Sequence, residues 1–243
     1  MPEVKGEGWP SPDLPLTMGE AWKRALALYR KNFLTFFGIA LIARLSGELL
    51  YFLLVSESQP LEVSLLALLP GIFITFLGSY ALSKAILDRI QGRTASLQEA
   101  YGFVLSEIGP ILGTLALILG LEVAIFVTAV GLTALIRFIG LLWLYAALFA
   151  FFLVLLFTAF IAFVFVEEGV YGWAGIRRSY ELVRRDWGAV LVVLLLIVFP
   201  SLLLGLLFPE SWIVAGIEAL YDPLPFGVLA FLYLDIRRNI GMG

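Results

Sequence analysis

The chain has 243 residues and a formal net charge of -3; 61% of its residues are hydrophobic and 14% charged, where soluble domains run at roughly half and about a quarter. That balance excludes a water-soluble globular domain, because a chain of this size cannot bury so much apolar surface. The lack of cysteine and histidine excludes disulfides and thiolate metal centres and removes the commonest general base and metal ligand.

Met1 to Leu16 is polar, contains Pro2, Pro10, Pro12 and Pro15, and lacks the basic-then-apolar layout of a cleaved signal. Residues 1–16 are expected to form a cytosolic arm, and residues 17–243 a single membrane domain. Apolar runs between polar breaks predict spans at Phe33 to Val55, Leu61 to Leu82, Pro110 to Ile136, Phe138 to Val166, Trp187 to Phe208 and Trp212 to Leu234. The charge-free run from Phe138 to Val166 exceeds the ~20 residues that cross a ~30 Å hydrocarbon layer. Strand-like alternation is absent, and backbone groups in lipid have to be satisfied within their own segment. The expected fold class is therefore all-α, a polytopic helical membrane protein of about six spans. In the sixth, Glu218, Asp222, Pro223 and Pro225 predict a kinked or broken helix. Alternatively, Trp212 to Tyr221 lies in the outer interface and Leu224 to Asn239 makes a short or tilted crossing.

Basic residues set the orientation. With the amino terminus inside, the inner segments hold Lys5, Lys23, Arg24, Arg30, Lys31, Lys84, Arg89, Arg93, Arg177, Arg178, Arg184, Arg185, Arg237 and Arg238, leaving Arg44 and Arg137 elsewhere. The outer connections, Ser56 to Pro60, the turn near Arg137, and Pro209 to Ser211, are short. This asymmetry predicts that both termini are cytoplasmic.

Ala21 to Phe33 (AWKRALALYRKNF) matches Gly175 to Trp187 (GIRRSYELVRRDW), and Glu99, Ala100 and Tyr101 at mid-chain match Glu20, Ala21 and Trp22. The predicted organisation is three repeats of one amphipathic helix plus two spans, near 17–94, 95–169 and 170–243. In the third amphipathic helix, Trp173, Ile176, Tyr180, Val183 and Trp187 recur at helical spacing, with Arg177, Arg178, Glu181, Arg184 and Arg185 opposite. Such a helix is expected in the inner interface, its arginines toward cytosol or anionic lipid and Arg177 placed for an i,i+4 pair with Glu181. Arg177, Arg178, Arg184 and Arg185 are the candidate lipid-binding residues; a connector that only orients two spans is the competing reading.

Two stretches, VEEGVYGWAGIRRSYELVRRDWGAVL (Val166 to Leu191) and PFGVLAFLYLDIRRN (Pro225 to Asn239), resemble the membrane domain attached to some bacterial glycerophosphodiester phosphodiesterases, which also occurs alone in bacterial membrane proteins. Tyr233, Asp235, Arg237 and Arg238 occupy its late motif, with Arg238 directly after Arg237 as a small departure. The hydrolase domain is absent, so the resemblance implies no enzyme activity in this chain, and it implies a multi-pass protein of the bacterial inner membrane.

Ionisable residues within spans are costly and mark candidate sites. Here they are Arg44, Glu48, Glu122, Glu218 and Asp222. Arg44, Glu122 and Asp222 stand 11, 12 and 13 residues from the inner ends of their spans, and at about 1.5 Å per residue they lie at similar depth. A central charged cluster is expected, either an ion-pair network joining spans or a polar cavity for a headgroup, ion or proton. Gly109-Pro-Ile-Leu-Gly113 has the spacing of a close helix contact, but its position favours a helix start. The tryptophans read as interfacial anchors. No catalytic, metal or cofactor motif is visible. The expected function is a non-enzymatic scaffold or accessory subunit whose partners are membrane lipids and another membrane protein, not nucleic acid; the alternative is a small transporter or channel-like protein using the buried charges.

Overall fold

A computed structural model describes residues 16–54, 61–135, 140–208 and 211–241. The arm before residue 16, the connections at 55–60 and 209–210, and Arg137 lie outside the described residues. The chain is all-α, with no strand among the described residues: α1 (Met18–Lys31), α2 (Phe33–Leu54), α3 (Leu61–Ile90), α4 (Leu97–Ser106), α5 (Ile108–Leu135), α6 (Gly140–Thr158), α7 (Ile161–Glu168), α8 (Gly172–Val183), α9 (Trp187–Leu207), α10 (Ser211–Tyr221) and α11 (Pro223–Gly241). Six helical stretches are long and apolar enough to cross a membrane: Phe33–Leu54, Pro70–Ile90, Ile108–Thr128, Tyr145–Glu168, Trp187–Leu207 and Trp212–Ile240. This is a multi-pass helical membrane protein. It forms two compact units, residues 1–106 with 192–243 and residues 107–191; α9 runs through the division.

In the first unit, α1 begins with a reciprocal capping box. The Thr17 hydroxyl oxygen accepts from the Glu20 N–H (3.3 Å), and the Glu20 carboxylate accepts from the Thr17 N–H (3.1 Å). Ser96 and Glu99 open α4 in the same way, at 3.1 and 3.0 Å. Each box satisfies donors that a helix start leaves open. The apolar face of α1 is covered by protein, since Ala21 and Ala25 are buried and α1 packs extensively on α11. It runs antiparallel to α11, with Leu16 N–H on Asp235 (3.4 Å), Ala25 beside Gly227 and the Tyr29 hydroxyl donating to the Leu220 carbonyl (2.7 Å). That carbonyl lies in the last turn of α10, where helix carbonyls lack in-helix partners.

Small residues bring α2 and α3 together. A Cβ on Gly78 would stand 2.1 Å from that of Ala43, and one on Gly47 3.3 Å from the Gly71 carbonyl oxygen; such close approach is what small residues contribute between spans. The second apolar stretch runs to Ile90, past the expected end at Leu82. Lys84 and Asp88 pair at i,i+4, and Arg93 folds back onto Asp88 (2.9 Å) after the left-handed turn at Gly92 (φ 73°). Ser83, Ala85, Ile86, Leu87 and Asp88 are buried on the same helix, so Lys84, Asp88 and Arg89 lie within a continuing helix and do not end it. The sixth stretch is divided at Asp222, where Pro223 brings no N–H. Asp222 N–H still reaches the Glu218 carbonyl (2.7 Å), Phe226 N–H reaches that of Asp222 (3.2 Å), and α10 packs along α2.

In the second unit, α5 packs on α6, and α8 packs on α5, α6 and α7. The expected single span from Phe138 to Val166 is interrupted at residues 159–160. Ala159 N–H turns to the Leu156 carbonyl (3.3 Å), and Phe160 N–H donates to the buried Ser179 hydroxyl of α8 (3.2 Å). No glycine or proline marks this break. It coincides with a hydrogen-bond partner 19 residues downstream. At the start of α8, Tyr171 makes no side-chain cap; Gly172 (φ 62°) instead donates to the Thr114 hydroxyl (2.7 Å).

Candidate functional site

The charged residues of the first unit meet at the joint between α10 and α11. From α2, Arg44 donates through Nε and Nη2 to Oδ2 of Asp222 (3.0 and 2.6 Å), and its Nη1 stands 2.9 Å from Oε2 of Glu218. Glu218 and Asp222 are 8% and 6% exposed. Their i,i+4 spacing puts both carboxylates on the face of α10 that packs on α2, so one planar guanidinium answers two acids. A lone arginine at the centre of a span costs about 3 kcal/mol to insert. Pairing offsets that cost, and removing either sign would leave the other buried and uncompensated.

Glu48, one turn beyond Arg44, takes no part in the pairing; among the described residues it has no hydrogen bond or ion pair. It lines an open-sided cavity of about 660 Å³ together with Arg44, Thr75 and Ser79, whose remaining walls include Phe76 and Ile197. A second space of about 60 Å³ is lined by Arg44, Thr75, Ser79, Asp222 and Phe226. Thr75 and Ser79 are absent from the sequence-derived candidates, although their i,i+4 spacing is a readable polar stripe within an apolar helix. Glu122 stands on α5 in the second unit, half-buried and without an ion-pair partner among the described residues.

The second unit carries the basic candidates on α8, which has three distinct sides. Gly175, Ser179 and Leu182 are buried. Trp173 and Tyr180 form an exposed aromatic stripe that Trp187 continues at the start of α9; the two tryptophans are 66% and 57% exposed. On the third side Arg177 pairs with Glu181 (3.2 Å), and Arg178 pairs with Glu168 at the end of α7 (2.8 Å), with Glu181 further off at 3.9 Å. Arg184 and Arg185 are exposed and have no ion pair among the described residues. Glu168, the anchor of Arg178, is also absent from the sequence-derived candidates; the acidic pair Glu167 and Glu168 just before α8 is its only trace in the sequence.

Of the late motif, Tyr233 is fully buried. Asp235 accepts from Leu16 N–H and from the Asn239 side-chain amide (3.5 Å), Arg237 is half-buried and Arg238 exposed in the last turn of α11. A Cβ on Gly109 or Gly113 would meet nothing within 4 Å, so no close helix contact uses that pair, and the Pro110 carbonyl accepts from Thr114 (2.9 Å). No group of three or more acidic, histidine or cysteine residues suited to a metal occurs among the described residues. No family model matches this chain, and no curated protein or solved structure matches it either.

Proposed function

We propose that this protein is a non-enzymatic scaffold or accessory subunit of a bacterial cytoplasmic membrane that engages anionic lipid of the inner leaflet and another membrane protein. Both termini are cytoplasmic in this reading, as the distribution of lysine and arginine favours. The observation that carries the proposal is the exposed aromatic series Trp173, Tyr180 and Trp187 of α8 and the start of α9, together with the exposed Arg184 and Arg185 between the two helices. Aromatic rings suit the headgroup level, and unpaired arginines beside them attract anionic headgroups.

A threefold repeat organises these surfaces. Taking the helices in register, Ala21, Ala100 and Gly175 are buried at one position, and Ala25, Val104 and Ser179 at the next turn, which supports one packing plan used three times. The three repeats keep that packing face and vary the exposed one.

Native mass spectrometry of the purified protein tests the reading, which expects retained anionic phospholipid. At about 1 kcal/mol per basic residue near a charged surface, Arg184→Gln with Arg185→Gln should weaken retention by roughly thirty-fold. Arg178→Gln should weaken it less, because Arg178 is already committed to Glu168. Equal lipid content in the wild type and the double variant would remove the basis of the proposal.

A further inference from the structure

Asp222 is the most informative group that the lipid reading leaves unused. Arg44 engages its Oδ2 twice, whereas Oδ1 is buried and has no hydrogen-bond partner among the described residues. A buried carboxylate oxygen without a partner keeps its desolvation penalty, which a positive charge or a donor proton would offset. The groups around it set the sign. Arg44 comes from α2 and Glu218 from α10; with Asp222 they are two carboxylates on one guanidinium, and full ionisation leaves one negative charge in excess, apart from Glu48 of α2, which lines the larger cavity without pairing. Tyr221 gives its hydroxyl to the Leu196 carbonyl. The groups that α3 and α11 turn toward the space, Thr75, Ser79 and Phe226, do not titrate.

The space itself suits a small occupant. Its volume of about 60 Å³ exceeds the roughly 10–15 Å³ that a single water needs, enough for a small ion with a water. Oxygen atoms dominate its polar lining. The Ser79 hydroxyl donates to the Phe76 carbonyl (2.6 Å) and so keeps its lone pairs available, while the Thr75 hydroxyl makes no hydrogen bond among the described residues. Arg44, Thr75, Ser79 and Phe226 also line the 660 Å³ cavity, whose open side supplies an approach.

We infer that the first unit holds a site for one monovalent cation, a proton or an alkali ion, at Oδ1 of Asp222, with the Thr75 and Ser79 hydroxyls as neighbouring oxygen ligands. Oxygen ligands suit hard cations, and a single positive charge balances the excess of the Arg44 cluster. A proton on Oδ1 would instead donate to a water bridging to one of the hydroxyl oxygens, leaving Oδ2 as acceptor for Arg44. The site is independent of the lipid-facing helix α8.

The full chain in lipid nanodiscs tests this in two arms. Thermal unfolding is followed while sodium or potassium replaces choline at fixed ionic strength; an alkali-ion site raises the midpoint saturably, and Thr75→Val, which leaves the Arg44 pairing intact, loses most of that rise. Infrared difference spectroscopy at neutral pH reads the proton arm: a protonated carboxylic acid band that disappears in Asp222→Asn and shifts in Thr75→Val marks a proton on Oδ1. Asp222→Asn keeps the Arg44–Glu218 pair, and if it still fails to fold, the Thr75→Val shift carries the arm alone. A midpoint indifferent to all three cations, together with no band that responds to either substitution, overturns the proposal and leaves a carboxylate answered by water.

Discussion

In the first unit charge goes inside: Arg44, Glu218 and Asp222 form a pair network where α2 meets the α10–α11 joint. In the second unit the Arg177–Glu181 pair of α8 is exposed, the Arg178–Glu168 pair is part-buried against the end of α7, and the polar work within the helices is done by hydroxyls. Thr114, Thr128 and Thr158 donate to carbonyls one turn back, and Ser179 accepts the Phe160 N–H freed by the break between α6 and α7. The difference is one of risk. A neutral hydroxyl satisfied by backbone loses about one hydrogen bond when removed, whereas a buried charge that loses its partner is left with most of its desolvation cost.

The widest gap between the units is therefore expected at Arg44. Arg44→Met should destabilise the protein by about 3–5 kcal/mol, because two buried carboxylates then face each other; with the Arg44 side chain a quarter exposed, the lower end applies. Adding Glu218→Gln and Asp222→Asn should recover most of the loss by removing the orphaned charges. Glu122→Gln, the matching change in the second unit, should stay within about 0.5 kcal/mol. Unfolding in detergent measures all three. An Arg44→Met variant as stable as the wild type would mean that the network contributes nothing to holding α10 against α2.

How far the chain could be read in advance follows the same physics. The six crossings were legible because lipid leaves the backbone no choice but internal hydrogen bonds, and residue type alone marked Arg44, Glu218 and Asp222 as exceptional. Their pairing was less accessible: Arg44 and Glu48 share a helix face, yet the guanidinium turns to acids 174 and 178 residues away. Matched depth grouped Glu122 with them, but depth carries no information about which helices are neighbours, and Glu122 belongs to the other unit. The amphipathic pattern of α1 was equally visible while its partner was not; periodicity reports that a face is covered, and whether lipid or α11 covers it is a tertiary fact.

The break at residues 159–160 is the second point of comparison, since it depends on one neutral group. Ser179→Ala should cost about 1–3 kcal/mol by leaving the Phe160 N–H unsatisfied in an apolar surrounding, and Ser179→Thr, which keeps the oxygen, should cost less if the extra methyl is accommodated. Hydrogen exchange at Phe160 gives a local readout: faster exchange in Ser179→Ala is expected, and unchanged exchange would mean that another acceptor replaces the hydroxyl. A small loss here beside a large one at Arg44 would support the contrast between neutral and charged interiors.

The smallest effect separates the starts of α1 and α8, one capped by its own residues and the other by Thr114. The Thr17 backbone N–H and then its hydroxyl hold the Glu20 carboxyl below its ordinary value near 4.5 by binding the ionised form. A lowered value in the folded state means that this stabilisation is complete above the ordinary value and is lost as pH falls through the lowered one. Thr17→Ala removes the hydroxyl but keeps the N–H, so the Glu20 midpoint should rise part of the way back, and losing the cap should cost about 1 kcal/mol. Carboxyl-carbon NMR titration follows the midpoint, and exchange at Gly19 to Ala21 follows the fraying. Because α1 is clasped along its length by α11, the fraying should stop at the first turn; loss of protection reaching Ala25 would show that the cap, rather than the contact with Gly227, holds α1 in place.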